Sequence, residues 1–225
     1  MDVETDWLCT QLEHPLESVR GGYRFWLGEA AGLYVVVGRT EIGTIHAAGA
    51  TATGIQTFWP SVVIGQGVAG SHTEDLHVGD VVVGESCIHI NDLMTPRRGR
   101  GEGSDPFTWA LHDHTDGEMP LICDADPDWV KRFAMAPYPD GQKVTGRLGS
   151  GDLFSREYDR ICWLRERGGH LCEDMESIAV YQTCRRAGIP CVGLRIISNN
   201  ELTGEPYQRE MGLRLQRFVW DTLTK

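Results

Sequence analysis

Nowhere in the 225 residues does an apolar run approach the roughly 20 that a membrane-spanning helix needs. No signal peptide opens the chain, so a cytoplasmic protein without membrane contact is expected. Positive charge is also scarce: 21 Lys and Arg stand against 32 Asp and Glu, a net charge of −11. A nucleic-acid partner held through its phosphates would need a basic face, and none is evident. The one basic cluster, Arg97, Arg98 and Arg100, lies among glycines and reads as a mobile loop rather than an anion site. Paired cysteines are missing as well. The seven cysteines, at 9, 87, 123, 162, 172, 184 and 191, are odd in number and scattered, with no CxxC. That fits reduced thiols in a cytoplasm better than a disulfide framework. Zinc is not expected for the same reason. His112, Asp113, His114 and Asp116 in "ALHDHTDGEMP" read as a polar loop, not a metal cluster. No phosphate-binding loop is present either: "GQGVAG" (65–70) has neither GxGxxG spacing nor GK[ST]. No cofactor is expected.

What remains is the composition of a soluble globular protein, 41% hydrophobic and 24% charged, long enough for one domain with a substantial core. Short β-branched runs at 32–38 ("GLYVVVG"), 61–70 ("SVVIGQGVAG"), 78–90, 143–154 and 190–198 read as strands. Three segments read as helices: the Ala-rich 40–58, the amphipathic 173–188 with Gly188 as its C-terminal cap, and 205–224 with Pro206 in its first turn. Residues 91–120 have no period and read as a long loop. Strands alternating with helices predict an α/β protein, one domain over 1–225, with a twisted mixed central sheet flanked by helices.

Four strand ends carry small or polar tips, where α/β proteins place their chemistry. "GQGVAG" lets a ligand approach the backbone, or is a tight turn. "GSGDLF" (149–154) offers Phe154 for stacking on a planar ring, or for the core. "DMES" (174–177) sets Glu176 near a helix start, where the dipole favours a carboxylate on any account. "SNNE" (198–201) ends the apolar run "LRIIS".

Together and in this order, "VGDVVVGE", "SGDLF", "DMESIAVYQTCRRAGIP" and "LRIISN" resemble the nucleoside phosphorylase and nucleosidase superfamily, and most of all its methylthioadenosine/S-adenosylhomocysteine nucleosidases. The family pattern runs strand, "GSAGG", "VGDIVV", "SGD-x-F", an "EMEA" helix, "GVPF", then "R-x-ISD". The resemblance covers the whole chain, with a gap-prone middle at 91–142. It implies that Glu176 grips the ribose 2′- and 3′-hydroxyls beside Met175. It puts Phe154 on the purine face and the Ser155 backbone at the base edge. Ser198 and Asn199 address the purine N7, and Ile42 lies near the sugar. Val68, Ala69 and Gly70 line the site; Val68 replaces a serine, so its contact is through backbone alone. Family members open with a strand ending "GAMEEE", whose last glutamate activates the attacking water. Aligning Met1 with that methionine puts Glu4 on this glutamate and leaves the family's first strand without a counterpart, which would expose sheet edges. Taken without the resemblance, Glu4 is a solvated residue of a frayed terminus.

The resemblance implies hydrolysis of an N-ribosidic bond, with Glu4 as general base, and a homodimer in which a neighbouring subunit completes the site. Asn199 stands where the family has an acid. An amide can donate to N7 but cannot protonate it. Three readings stay open: a hydrolase adapted to a 6-oxopurine, futalosine hydrolases being one such class; slow cleavage of adenine nucleosides; or a catalytically impaired binding or storage-like relative. Phosphorolysis is disfavoured, because the glycine loop offers neither arginine nor Ser/Thr for phosphate.

Overall fold

In the computed structural model, which describes residues 2–113 and 121–225, the chain is a mixed α/β fold with a central sheet flanked by helices. A 3-10 turn (Asp2–Glu4) and helix α1 (Asp6–Gln11) lead into an antiparallel three-stranded sheet, β1 (Glu13–Arg20), β2 (Tyr23–Ala30) and β3 (Leu33–Arg39). Its two hairpin turns, Gly21-Gly22 and Ala31-Gly32, all have positive φ. This is the left-handed backbone that suits two-residue hairpin loops. Helix α2 (Thr44–Phe58), β4 (Val63–Ser71), β5 (Val81–His89), the short pair β6 (Leu93–Met94) and β7 (Ala110–Leu111), β8 (Ile122–Asp124) and α3 (Pro127–Met135) follow. Then come β9 (Lys143–Ser150), α4 (Tyr158–Gly168), β10 (His170–Asp174), α5 (Ser177–Ala187), β11 (Cys191–Asn199) and α6 (Met211–Thr224).

The main sheet runs β11-β4-β10-β9-β5-β8, and β5 pairs with β11 as well. Five strands therefore close into a ring. β11 lies parallel to β4 and antiparallel to β5, as a mixed sheet requires. The closure is tight at Gly84 and Gly193, which face each other in register. A Cβ at either would sit 2.6 or 2.7 Å from Leu148 Cδ1. The hydroxyl of buried Tyr181 fills the gap they leave. It donates to Gly84 O and accepts from Gly193 N, both at 2.8 Å. Helix α5 packs on one face of the ring with α2 outside it, and α3 and α6 cover the other. β4 meets β10 only at Gly70 and Ser71, so over Val63–Ala69 it has a strand partner on the β11 side alone among the described residues.

Several expectations need correction. The segment 173–188 is not one helix: Glu173 and Asp174 end β10, and α5 starts at Ser177. Their carboxylates are engaged with partners inside the fold rather than solvated on a helix face. Helix α6 starts at Met211, so Pro206 precedes it, in the stretch where Asn200 and Glu205 bridge. Helix α2 starts at Thr44, after Glu41 and Gly43 with positive φ break the helical path. The stretch 32–38 becomes β3 in the small antiparallel sheet, not the central one. His114 and Asp116 lie outside the described residues.

Candidate active site

The strand ends named above converge. At the end of β10, Asp174 gathers four donors. Its Oδ1 accepts from Ser150 Oγ at 2.9 Å, Glu176 N at 2.8 Å and Ser177 N at 2.7 Å; its Oδ2 accepts from Arg195 Nε at 2.9 Å. Arg195 Nε also reaches Ser177 Oγ at 3.0 Å. The Asp174 and Arg195 side chains are 1% and 3% exposed, so this is a buried ion pair whose geometry is satisfied on both sides. Burial opposes the Arg195 charge, but Asp174, Glu176 and Glu4 outweigh it and hold the guanidinium above its usual range.

Glu176 occupies the N-cap position of α5 without capping it. Its Oε1 instead accepts from Gly43 N at 3.0 Å, and its Oε2 lies 3.8 Å from Arg195 Nη2. Burial pushes its carboxyl above the usual range, opposed by Arg195. Gly43 follows exposed Ile42, and Thr44 beyond it donates to Asp152 at 2.8 Å through its backbone. Met175 is half-buried beside Glu176.

Glu4 is seated in the same place, not frayed. Its Oε1 accepts from Val68 N at 2.9 Å, and Gln66 Nε2 donates to its carbonyl. Helix α6 holds this turn, since Gln216 Nε2 donates to Val3 O at 2.7 Å. Gly67 makes the convergence sterically feasible. A Cβ there would stand 2.1 Å from Arg195 Nη1 and 2.8 Å from Glu4 Oε1. Two carboxylates thus face one guanidinium across the bare backbone of β4. Val68 contributes its N–H, as its apolar side chain requires, but to Glu4.

On the other side stand Asn199 and the loop after β9. Asn199 is buried; its Nδ2 lies 3.5 Å from Glu201 Oε1, and its Oδ1 lies 3.0 Å from Ser198 Oγ. Ser198 Oγ has a second acceptor for its one hydrogen, Ala69 O at 3.2 Å. Gly70 leaves room for the amide: a Cβ there would meet Asn199 Nδ2 at 3.3 Å. Asn200 plays a different part. Its side chain is fully engaged with the backbone of Thr73, Leu76, Leu202 and Thr203, so it pins the loop and does not orient Asn199. Phe154 is 54% exposed, which removes it from the core and leaves its face open. Ser155 is buried, and its N–H donates to Glu173 Oε1 at 2.7 Å.

A family model described as the phosphorylase superfamily matches residues 1–219. The chain belongs to this superfamily. Two relatives in it are named 5′-methylthioadenosine/S-adenosylhomocysteine nucleosidase. The one from Geobacillus sp. strain WCH70 is 30% identical over 226 residues, 100% of this chain and 90% of its own. The one from Hydrogenovibrio crunogenus is 31% identical over 237 residues, 100% of this chain and 95% of its own. The superfamily fold recurs in the nucleosidase of Neisseria meningitidis solved with methylthio-immucillin-A (TM-score 0.84, 24% identity, 100% and 95% of the two chains covered). It recurs in a futalosine hydrolase mutant of Helicobacter pylori (TM-score 0.82, 21% identity, 99% and 95% covered). At those identities the structures speak for the superfamily fold alone.

Sequence reasoning missed Asp174 and Arg195, which hold the start of α5 and face Glu176. Asp174 was in plain view inside "DMES", with Ser177 next to Glu176 at helix-start spacing. Arg195, a lone charge in an apolar run, was the available signal: a buried arginine requires carboxylates.

Proposed function

We propose that this protein is a nucleosidase that hydrolyses the N-ribosidic bond of a purine nucleoside carrying a 5′ substituent, with residues 1–225 acting as one catalytic unit. The observation that carries this reading is the meeting of Glu4 and Glu176 at Arg195, with Gly67 bare between them. The curated relatives' names point the same way. Breaking this bond builds positive charge on the sugar and negative charge on the departing base. Glu176 holds the 2′- and 3′-hydroxyls through charged hydrogen bonds, and its carboxylate also favours the cationic sugar. Arg195 and Gly43 orient Glu176, and Asp174 keeps Arg195 from collapsing onto it. Glu4, aimed by Val68 N, takes a proton from the water that attacks the anomeric carbon. Asn199 donates from its NH₂ to N7 as the base leaves, Phe154 stacks on the base, and Met175 and Ile42 enclose the sugar.

Homodimerisation belongs to the same proposal. A groove of about 840 Å³ between α2 and α5, lined by Ile45, Ala48, Ile178 and Ala179 among others, opens beside Thr44, and Ile45 is 79% exposed. A second copy seated there would cover the apolar face and flank the sugar end. Seven cysteines without a disulfide support a cytoplasmic setting, and no helix among the described residues is long and apolar enough to cross a membrane. The test is release of free base from 5′-methylthio nucleosides, with and without phosphate. Phosphate-independent release supports hydrolysis; a strict phosphate requirement would convert the reading to phosphorolysis, and no release would end it. Sedimentation at micromolar concentration checks the dimer.

A further inference from the structure

Helix α2 starts without a cap of its own. Its N-cap residue, Gly43, has no side chain to offer the amide groups of the first turn. A carboxylate from another loop meets the helix start instead. Asp152 Oδ1 accepts from Thr44 N at 2.8 Å, and its Oδ2 accepts from Thr44 Oγ1 at 2.5 Å. The helix dipole favours a negative charge at this end. Asp152 is itself exposed, but the loop that carries it is fixed on both sides. Gly151 N donates to Asp174 O at 3.0 Å, and Ser155 N donates to Glu173 Oε1 at 2.7 Å. The start of α2 is therefore tied to the loop that bears Phe154.

The next link is Gly43. With Glu41 at φ 65° and Gly43 at φ 99°, the chain turns from β3 into α2 along a path that a helix would not take. A Cβ on Gly43 would stand 3.1 Å from Asp152 Oδ1, so the carboxylate packs against the bare Cα. The Gly43 N–H donates to Glu176 Oε1 at 3.0 Å. Among the described residues, the hydrogen bonds that 40–44 sends to distant parts of the chain end on Asp152 and Glu176. Glu176 is faced by Arg195 from β11, Asp174 from β10 and Glu4 from the first turn. Burial and the two carboxylates oppose its charge; Arg195 and the Gly43 N–H favour it. Asp152 has different company: Thr44, and His89 of β5, whose charge it favours.

We propose that Asp152 is a positioning residue for the sugar grip: by holding the start of α2 it keeps the Gly43 N–H on Glu176, and it joins that grip to the loop bearing Phe154. Asp152 touches neither sugar nor base in this arrangement. It acts through Thr44 and Gly43.

This inference deepens the nucleosidase reading and rests on it for what Glu176 holds, but not for how Glu176 is held. The sign of one measurement separates positioning from a bare charge effect. Removing a negative charge near Glu176 would by itself let the carboxyl ionise at lower pH. Loosening the Gly43 N–H does the opposite. The Gly43 amide proton senses the ionisation of its acceptor, so its NMR shift against pH gives the Glu176 midpoint with no ligand present. In Asp152→Ala that midpoint should move up by about half a pH unit, the scale of an ordinary helix cap. Asp152→Asn, whose amide oxygen can still accept from Thr44 N, should restore most of the wild-type midpoint. Thr44→Ala removes one of the two donors and should move it in the same direction by less. In the active enzyme, KM for 5′-methylthioadenosine should rise about fivefold in Asp152→Ala with kcat little changed. A carboxylate that only stabilised the fold would lower Tm and leave the midpoint where it was. A midpoint that stays or falls in a folded Asp152→Ala protein, or an unchanged KM in an active one, overturns the proposal. If Asp152→Ala does not fold, Thr44→Ala decides by the same sign. An upward midpoint shift with no base released by the wild type would leave Asp152 standing and remove the nucleosidase reading; base release with a fixed midpoint would do the reverse.

Discussion

The two halves of the site are built differently. At the end proposed to hold the sugar, every carboxylate named has partners: Asp174 holds four donors, Glu176 has Gly43 and Arg195, and Glu4 has Val68. At the end proposed to meet the base, Asn199 Nδ2 has only a long 3.5 Å contact to Glu201, Ser155 Oγ is buried without a hydrogen-bond partner among the described residues, and Phe154 lies half in solvent. A wired half is preorganised and serves the step common to any N-ribosyl hydrolysis. A half wired more loosely is expected to be completed by its ligand and to be where one substrate is told from another. The chemistry is therefore expected to tolerate change at the base end far better than at the sugar end.

That contrast is most open to attack at Glu4. Glu4→Gln removes the group proposed to take a proton from water, so kcat should fall about 10²–10⁴-fold, with KM little changed. Steady-state base release measures it; a kcat within threefold of the wild type would take Glu4 out of the mechanism. Next comes the buried pair. Asp174→Ala leaves Arg195 charged and buried with its main partner gone, and should cost about 3–5 kcal/mol of folding stability in a denaturant titration. A loss under about 1 kcal/mol would show that Glu176 and Glu4 suffice to hold Arg195.

A smaller effect is expected at Glu176, and it splits function from stability. Glu176→Gln should weaken nucleoside binding by about 1.5–3 kcal/mol, read as KM or by calorimetry. Its effect on stability runs the other way. Burial raises the folded carboxyl above its ordinary value. As pH rises through the ordinary glutamate range the unfolded chain ionises first. Stability is then lost until the folded group ionises too. At neutral pH Glu176→Gln removes that loss, so its Tm should equal or exceed the wild type. For the same reason, wild-type nucleoside binding should fade on acidification at a pH above the ordinary glutamate range. The smallest predicted effect is a ratio at the base end. Asn199→Asp supplies an acid that donates to N7 and accepts from a 6-amino group. Adenosine-type activity should rise relative to inosine-type activity by about tenfold, or roughly 1.4 kcal/mol. An unchanged ratio would mean that Asn199 does not read the base.

The sugar half was the more legible half in the sequence, and the reason is physical. Glu176 sits in the contiguous "DMES", where one β-to-α turn fixes several groups through local hydrogen bonds, so a short motif carries the geometry. Glu173 is read wrongly by the same logic. Its neighbours, His72 and Ser155, come from other strands and loops, and amphipathic periodicity counts a carboxylate beside a helix as a solvated start. The hairpin "RGGY" carried a usable signal: two glycines between strand-like runs mark a two-residue turn. The stretch before it, with His14 at positive φ and exposed Leu16 and Val19, blurred the alternation that would have extended the reading. Closure of the ring was beyond reach, because Gly84 facing Gly193 under a tyrosine hydroxyl is a relation between distant positions that no local pattern encodes.

The Gln216 bridge has a consequence in time. One side chain in α6 donates to Val3 O and accepts from Leu8 N across 213 and 208 residues of sequence. The turn that carries Glu4, whose carboxylate Val68 N–H aims, is thus tied down by an element made much later. At about 5–20 residues per second, a ribosome needs roughly 10–40 s to travel from one to the other. For that interval the nascent chain can fold β1–β3 and bring Val68 N–H and Gln66 of β4 to Glu4, yet lacks the α6 bridge to Val3 and Leu8. The proposed activity is then expected only late in synthesis, and a chain halted before Gln216 would carry Glu4 without the bridge that steadies its turn.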